Sequence, residues 1–132
     1  MDLFESLATD TTAEETGKWF DLDGNAGIKL RSATSTASKN LRRELEKPYA
    51  AQLRLGKGLS EKVSEELFIK QLSGAIIVDW KNITYKKEPL PFSQENAERM
   101  LRELPKLREI IAVLITDESA FKLTLAEEQE KN

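Results

Sequence analysis

The stretch from Ala75 to Leu101 limits what this chain can fold into more than any other. It reads Ala-Ile-Ile-Val-Asp-Trp-Lys-Asn-Ile, then Thr-Tyr-Lys-Lys-Glu-Pro-Leu-Pro-Phe-Ser-Gln-Glu-Asn-Ala-Glu-Arg-Met-Leu. An apolar run ends at Trp80, a loop with two prolines follows, and a helix then starts. Each proline pushes the residue before it into extended backbone. Ser93 is a natural N-cap, and Glu95 places a negative charge in the first turn. The reading is helix, corner, helix. Asp79, Trp80, Pro89, Pro91, Phe92 and Ser93 form the structural corner.

Upstream, Val63, Leu67, Phe68, Leu72, Ala75 and Ile76 give a broad apolar face. That spacing predicts a helix from the Ser60 cap to Asp79 or Trp80. Gly74 weakens it but lets a neighbour come close. Ala37, Leu41, Leu45, Tyr49 and Leu53 recur every four residues, so Thr36 to Leu55 is also helical. Pro48 lies inside it and predicts a kink or a break. Pro105 ends the Ser93 helix and suits the first position of the next. That last helix carries the strongest apolar stripe, Leu107, Ile110, Ile111, Leu114 and Ile115.

Gly17 to Ser32 follows a different period. Phe20 and Leu22 precede Asp23-Gly24-Asn25, and Ile28 and Leu30 follow. A period of two broken by Asp-Gly predicts a β-hairpin. A lone hairpin is marginal in water, so it must pack on helices or pair with another chain. The expected fold is mainly α, four to five helices with one N-terminal hairpin. Residues 1–16 are expected to be a flexible segment, 17–126 one domain with its hairpin at 17–32, and 127–132 a polar tail.

Composition narrows the chemistry. At 132 residues the chain holds no Cys and no His. Disulfides, thiolates, and the commonest general base and metal ligand are therefore ruled out. With 20 basic against 23 acidic residues, it lacks the basic excess of a non-specific DNA binder. No apolar run approaches the ~20 residues of a membrane span, and the first residues do not resemble a signal peptide. The expectation is a non-enzymatic, cytoplasmic protein with no metal, cofactor, nucleic acid or membrane.

Three stretches imitate chemical motifs. Asp79 beside Trp80 is the one acid flanked by apolar residues, but an Asp there more often bonds local backbone. Asp21 to Asn25 has the residue types of a calcium loop, with glycine fourth rather than sixth. Gly56-Lys57-Gly58-Leu59-Ser60 lacks the spacing of a phosphate loop. Lys39, Arg42, Arg43 and Lys47 are interleaved with Glu44 and Glu46, as on a solvated helix face.

The hairpin offers a contact surface instead. Adjacent strand residues face opposite sides, so one of Trp19 and Phe20 packs inward and the other points out. Near the other end Phe121 and Leu125 would share a helix face, in the core or docked on another subunit. Trp19, Phe20, Ile28, Phe121 and Leu125 are the candidate partner-binding residues.

The succession of Gly17-Lys18-Trp19-Phe20, Ile28-Lys29-Leu30-Arg31, Val78-Asp79-Trp80-Lys81-Asn82-Ile83 and Glu88-Pro89-Leu90-Pro91-Phe92-Ser93-Gln94-Glu95-Asn96-Ala97 resembles the tail assembly chaperones of long-tailed bacteriophages. It departs at Lys87, where a glycine would suit the turn. The resemblance implies a protein that binds the tape-measure protein, helps recruit tail tube subunits, self-associates and is absent from the mature virion. It would work in the cytoplasm of the infected or lysogenic host. The family implies a longer form made by frameshifting, with this chain as the short one. The competing readings are a small helical adaptor or regulator, binding protein or DNA, and a small hydrolase using Asp79.

Overall fold

A computed structural model describes residues 1–117 and 119–122. The fold is mixed α/β, not mainly helical. Five short strands form a three-stranded sheet and a separate hairpin, both antiparallel. The hairpin read from the sequence is there. Strand β1 (Lys18–Asp21) pairs with β2 (Gly27–Leu30), Phe20 opposite Ile28. Leu22 N–H donates to the Ala26 carbonyl at 2.9 Å, closing the turn, and Gly24 sits at φ 65°. The Asp21–Asn25 stretch is thus a hairpin turn.

Its missing support is a third strand rather than a helix. Helix α5 (Glu61–Gln71) stops well short of Trp80. One π turn, Leu72–Ile76, follows it, and Ile77–Lys81 then runs as β3 beside β2. The Ser73 hydroxyl donates back to the Ile69 carbonyl at 2.9 Å, the kind of bond that loosens a helix. Ile76, Ile77 and Val78 are β-branched and prefer the pleated backbone. A short apolar run cannot be assigned to helix or strand by period alone. That is why the reading placed a helix here and the tertiary partner β2 overrode it.

The central strand carries the core. Ile28 and Leu30 are buried against Leu72, Ile76, Ile77 and Trp80. Helix α6 (Gln94–Glu103) adds Ala97, Met100 and Leu101, and α7 (Pro105–Thr116) adds Ile111 and Ile115. Pro105 takes the first turn of α7, as its fixed φ allows.

Helix α3 (Thr36–Glu46) approaches the π turn at Gly74, where a Cβ would lie 2.8 Å from Leu41 Cδ2. The close approach expected at Gly74 is therefore made by α3. At Pro48 the helix tightens into a 3-10 turn, Lys47–Tyr49, before α4 (Ala50–Arg54). Gly56, at φ 73°, begins the connection to the Ser60 cap of α5, so the phosphate-loop look-alike is an interhelix link.

The first residues hold two short helices, α1 (Leu3–Leu7) and α2 (Thr11–Thr16), capped by Asp2 and Asp10. Helix α2 ties this first segment to the body. Its Glu14 carbonyl accepts from Ser32 N–H at 3.1 Å, and the Glu15 carboxylate accepts from Thr36 N–H at 3.0 Å.

Strands β4 (Thr84–Tyr85) and β5 (Glu88–Pro89) make the second hairpin, with Lys86 at φ 50° and Lys87 at φ 70°. Two left-handed residues in a two-residue loop define a type I′ turn, which favours Asn-Gly. A lysine there works against its own Cβ. The glycine that the resemblance implied at Lys87 is thus what the backbone favours. Lys87→Gly is expected to stabilise the fold by about 0.5–1 kcal/mol after the entropy cost of glycine. The urea midpoint should rise with the slope unchanged.

Candidate protein-docking surfaces

Trp80 anchors the corner read from the sequence. Its indole N–H donates to the Leu90 carbonyl at 2.8 Å, and its ring meets Phe92 edge-on at 5.3 Å. The prolines on either side of Leu90 hold that carbonyl in extended backbone. Ser93 caps α6 through Asn96 N–H, and the Asn96 side chain donates to the Pro91 carbonyl. Asp79 is exposed and accepts from Trp80 N–H at 2.8 Å, the local bond expected of it. The corner joins a strand to a helix, not two helices.

The predicted partner-binding residues divide between surface and core. Trp19 lies on the outer face of the sheet, 39% exposed, with Lys81 Nζ 4.7 Å from its ring centre. Lys81 reaches it across Gly27, where a Cβ would lie 2.8 Å from Lys81 Cε. Phe20 faces inward and meets Phe121 edge-on at 5.8 Å. Ile28 and Phe121 are buried, so neither offers a free surface. Leu125 lies outside the described residues.

Phe121 is not on a helix. Its carbonyl accepts from Asp10 N–H at 2.8 Å, and Lys122 bridges to Thr9 as in an antiparallel ladder. The Lys18 ammonium donates to the Ala120 carbonyl at 2.6 Å. The two candidate regions that the sequence placed apart therefore pack on each other.

Two surfaces escaped the sequence reading. One is a trough. A cavity of about 220 Å³, open to solvent, is lined by Leu45, Leu59, Leu67, Phe68 and Ile76, with Arg42 and Glu46 at its rim. It shares Ala33 and Ile115 with a second hollow that runs to Leu7 and Phe121. The floor is polar at one point, where Gln71 Nε2 donates to the Ser38 carbonyl at 2.6 Å and to its hydroxyl. The other surface is the outward side of α7, with Ile110 39% and Val113 65% exposed. Ile110 to Ile115 is an unbroken apolar run, so it wraps past the one face that the core covers. The strength of the Leu107–Ile115 stripe was the signal of this.

Charge on this body is local. Arg102 grips the Glu66 carboxylate at 2.6 Å and Glu98 at 3.0 Å, tying α5 to α6. The Arg102 hydrogen bond holds Glu66 below the usual carboxylate range and raises the guanidinium. For a depressed carboxylate, the added stability is present above its unfolded pKa and fades as pH falls through the folded value. Solvent exposure keeps that term to about a few tenths of a kcal/mol. The Ser119 hydroxyl and N–H likewise lower Asp117. Among the described residues no three His, Cys, Asp or Glu side chains could hold a metal ion, and no helix is long and apolar enough to cross a membrane.

Trp80→Phe tests the corner. The ring stack survives, but the buried Leu90 carbonyl loses its donor. The expected cost is about 1–3 kcal/mol. Trp19→Phe, at the exposed face, should change stability by less than about 1 kcal/mol. Denaturant titration of both variants against the parent decides it.

No curated protein and no solved structure matches the chain. A family model, the YdaY prophage protein, matches residues 33–132. The match takes in the trough, the π turn, the Trp80 corner and α7, and leaves out β1 and β2. It bears out the phage origin that the resemblance implied, and carries no statement about tails. Since the match extends over more than half of the chain, the protein belongs to the YdaY prophage protein family.

Proposed function

We propose that this protein is a non-enzymatic phage tail assembly chaperone whose trough receives an apolar helix of the tape-measure protein. The trough is the observation that carries the reading. Apolar walls from Leu45, Leu59, Leu67 and Phe68, with Arg42 and Glu46 at the rim, suit an amphipathic helix laid in a groove. A tape-measure protein is a long helix with apolar stretches that aggregate without cover. The prophage family supports the setting, and the succession of residues through the Trp80 corner supports the tail role. In this reading the protein acts in the cytoplasm of the infected or lysogenic host. It helps bring tail tube subunits through a longer, frameshifted form, and leaves before the virion is complete.

The test is co-expression with the tape-measure protein of the same prophage. The chaperone should keep it soluble and co-purify with it. Leu59→Glu and Leu45→Lys place charge in the trough at half-exposed positions, so the fold should survive, as circular dichroism will check. Each should cut the captured tape-measure protein at least tenfold. Capture unchanged by both variants would sink the proposal. So would a gel shift of DNA at low salt that is lost on Arg42→Glu and Arg43→Glu, the behaviour of a DNA-binding adaptor.

A further inference from the structure

The two edges of the three-stranded sheet are finished differently. On β3 the outward Trp80 N–H is taken by the Asp79 carboxylate at 2.8 Å. One donor on that edge is thus already used. On β1 the bond from Leu22 N–H to the Ala26 carbonyl sets the alternation of the ladder. Phe20–Ile28 and Lys18–Leu30 are then the hydrogen-bonded pairs, and the main-chain groups of Trp19 and Asp21 point away from β2. Among the described residues nothing meets those four groups. Both residues are exposed. Such an edge is a template for another strand.

We propose that β1 pairs with β1 of a second copy, antiparallel about a two-fold axis through Phe20. In this register Trp19 stands opposite Asp21 of the other copy, and Asp21 opposite its Trp19. All four free groups of each strand are then used. A slip by two toward Gly17 fails, because Gly17 N–H is already given to the Ala13 carbonyl at 2.8 Å. A slip the other way runs into the turn, where the Asp23 carbonyl already accepts from Ala26.

Charge fits the same register. Lys81 Nζ lies over the Trp19 ring, 4.7 Å from its centre. The incoming Asp21 carboxylate lands beside that ring on the same face, next to the ammonium. The axis repeats the pair, so each dimer gains two. Such an isologous contact closes on itself and stops at two copies. It does not involve the trough, so it stands or falls apart from the proposed function.

Sedimentation equilibrium of the full chain over a range from about 5 μM to 1 mM tests it, spanning weak to moderate association. The parent should pass from monomer to dimer. Asp21→Lys brings like charges together at both sites and should raise the dissociation constant at least tenfold. Adding Lys81→Asp to it should restore most of the loss. Asp21→Pro removes one outward donor and no ladder donor, and should abolish the dimer while thermal melting shows a folded chain. A parent that stays monomeric throughout overturns the proposal. So does a dimer indifferent to both Asp21 variants, or one that the charge swap fails to restore.

Discussion

The hydrogen bond from the Trp80 indole to the Leu90 carbonyl fixes the corner between the sheet and α6. On one side of it lies the sheet, with β3 laid against β2. On the other lies α6, whose first turn is set by Ser93 and Asn96 just past the prolines. The bond is buried, so breaking it leaves an unsatisfied carbonyl rather than a hydrated one. Phe92, edge-on to the same indole, fixes where the chain turns. The arrangement explains why Trp, Pro and Phe cluster here without any reactive group among them.

The trough is a consequence of where the apolar chain goes. Helices α3 and α5 meet through Gln71 and Ser38, a polar pair that fills less of the space between them than two large apolar side chains would. The Leu45, Leu67 and Phe68 side chains line what is left, and Ile115 reaches in from α7. The groove is thus bounded by three helices around a satisfied polar floor. That floor helps fix the shape of the site, since the Gln71 amide is tied twice to Ser38.

Much of this was readable residue by residue. The hairpin at Asp23-Gly24, the Ser60 and Ser93 caps and the Pro105 start all follow from local chemistry that tertiary packing did not override. Lys87 stood out only as a departure from the resembled succession, and the left-handed turn there came from the backbone. What could not be read was the fate of Ile76 to Lys81. Its residues suit a helix end and a buried strand equally well, and only the presence of β2 decides. From that one error came the others: the missing sheet, the corner described as helix to helix, and Ile28 assigned to a surface when it lies in the core. Phe121 failed for a related reason. Its partners Asp10 and Phe20 are remote in sequence, and no period reports them.

Strand β2 sits in the middle of the sheet, yet it is made long before β3. On the ribosome the first hairpin emerges as a two-stranded ribbon that is barely stable alone. Ile28 and Leu30 then face solvent until the chain has been extended through α3, α4 and α5, a wait on the order of seconds at ordinary rates of synthesis. The closing contact is therefore a non-local one, and its speed is set by loop closure rather than by local preference. Production of this protein in many copies would concentrate nascent hairpins whose inner edge is still bare. The crossover between them and β3 is dense in Lys, Arg and Glu, charges of the kind that oppose such association.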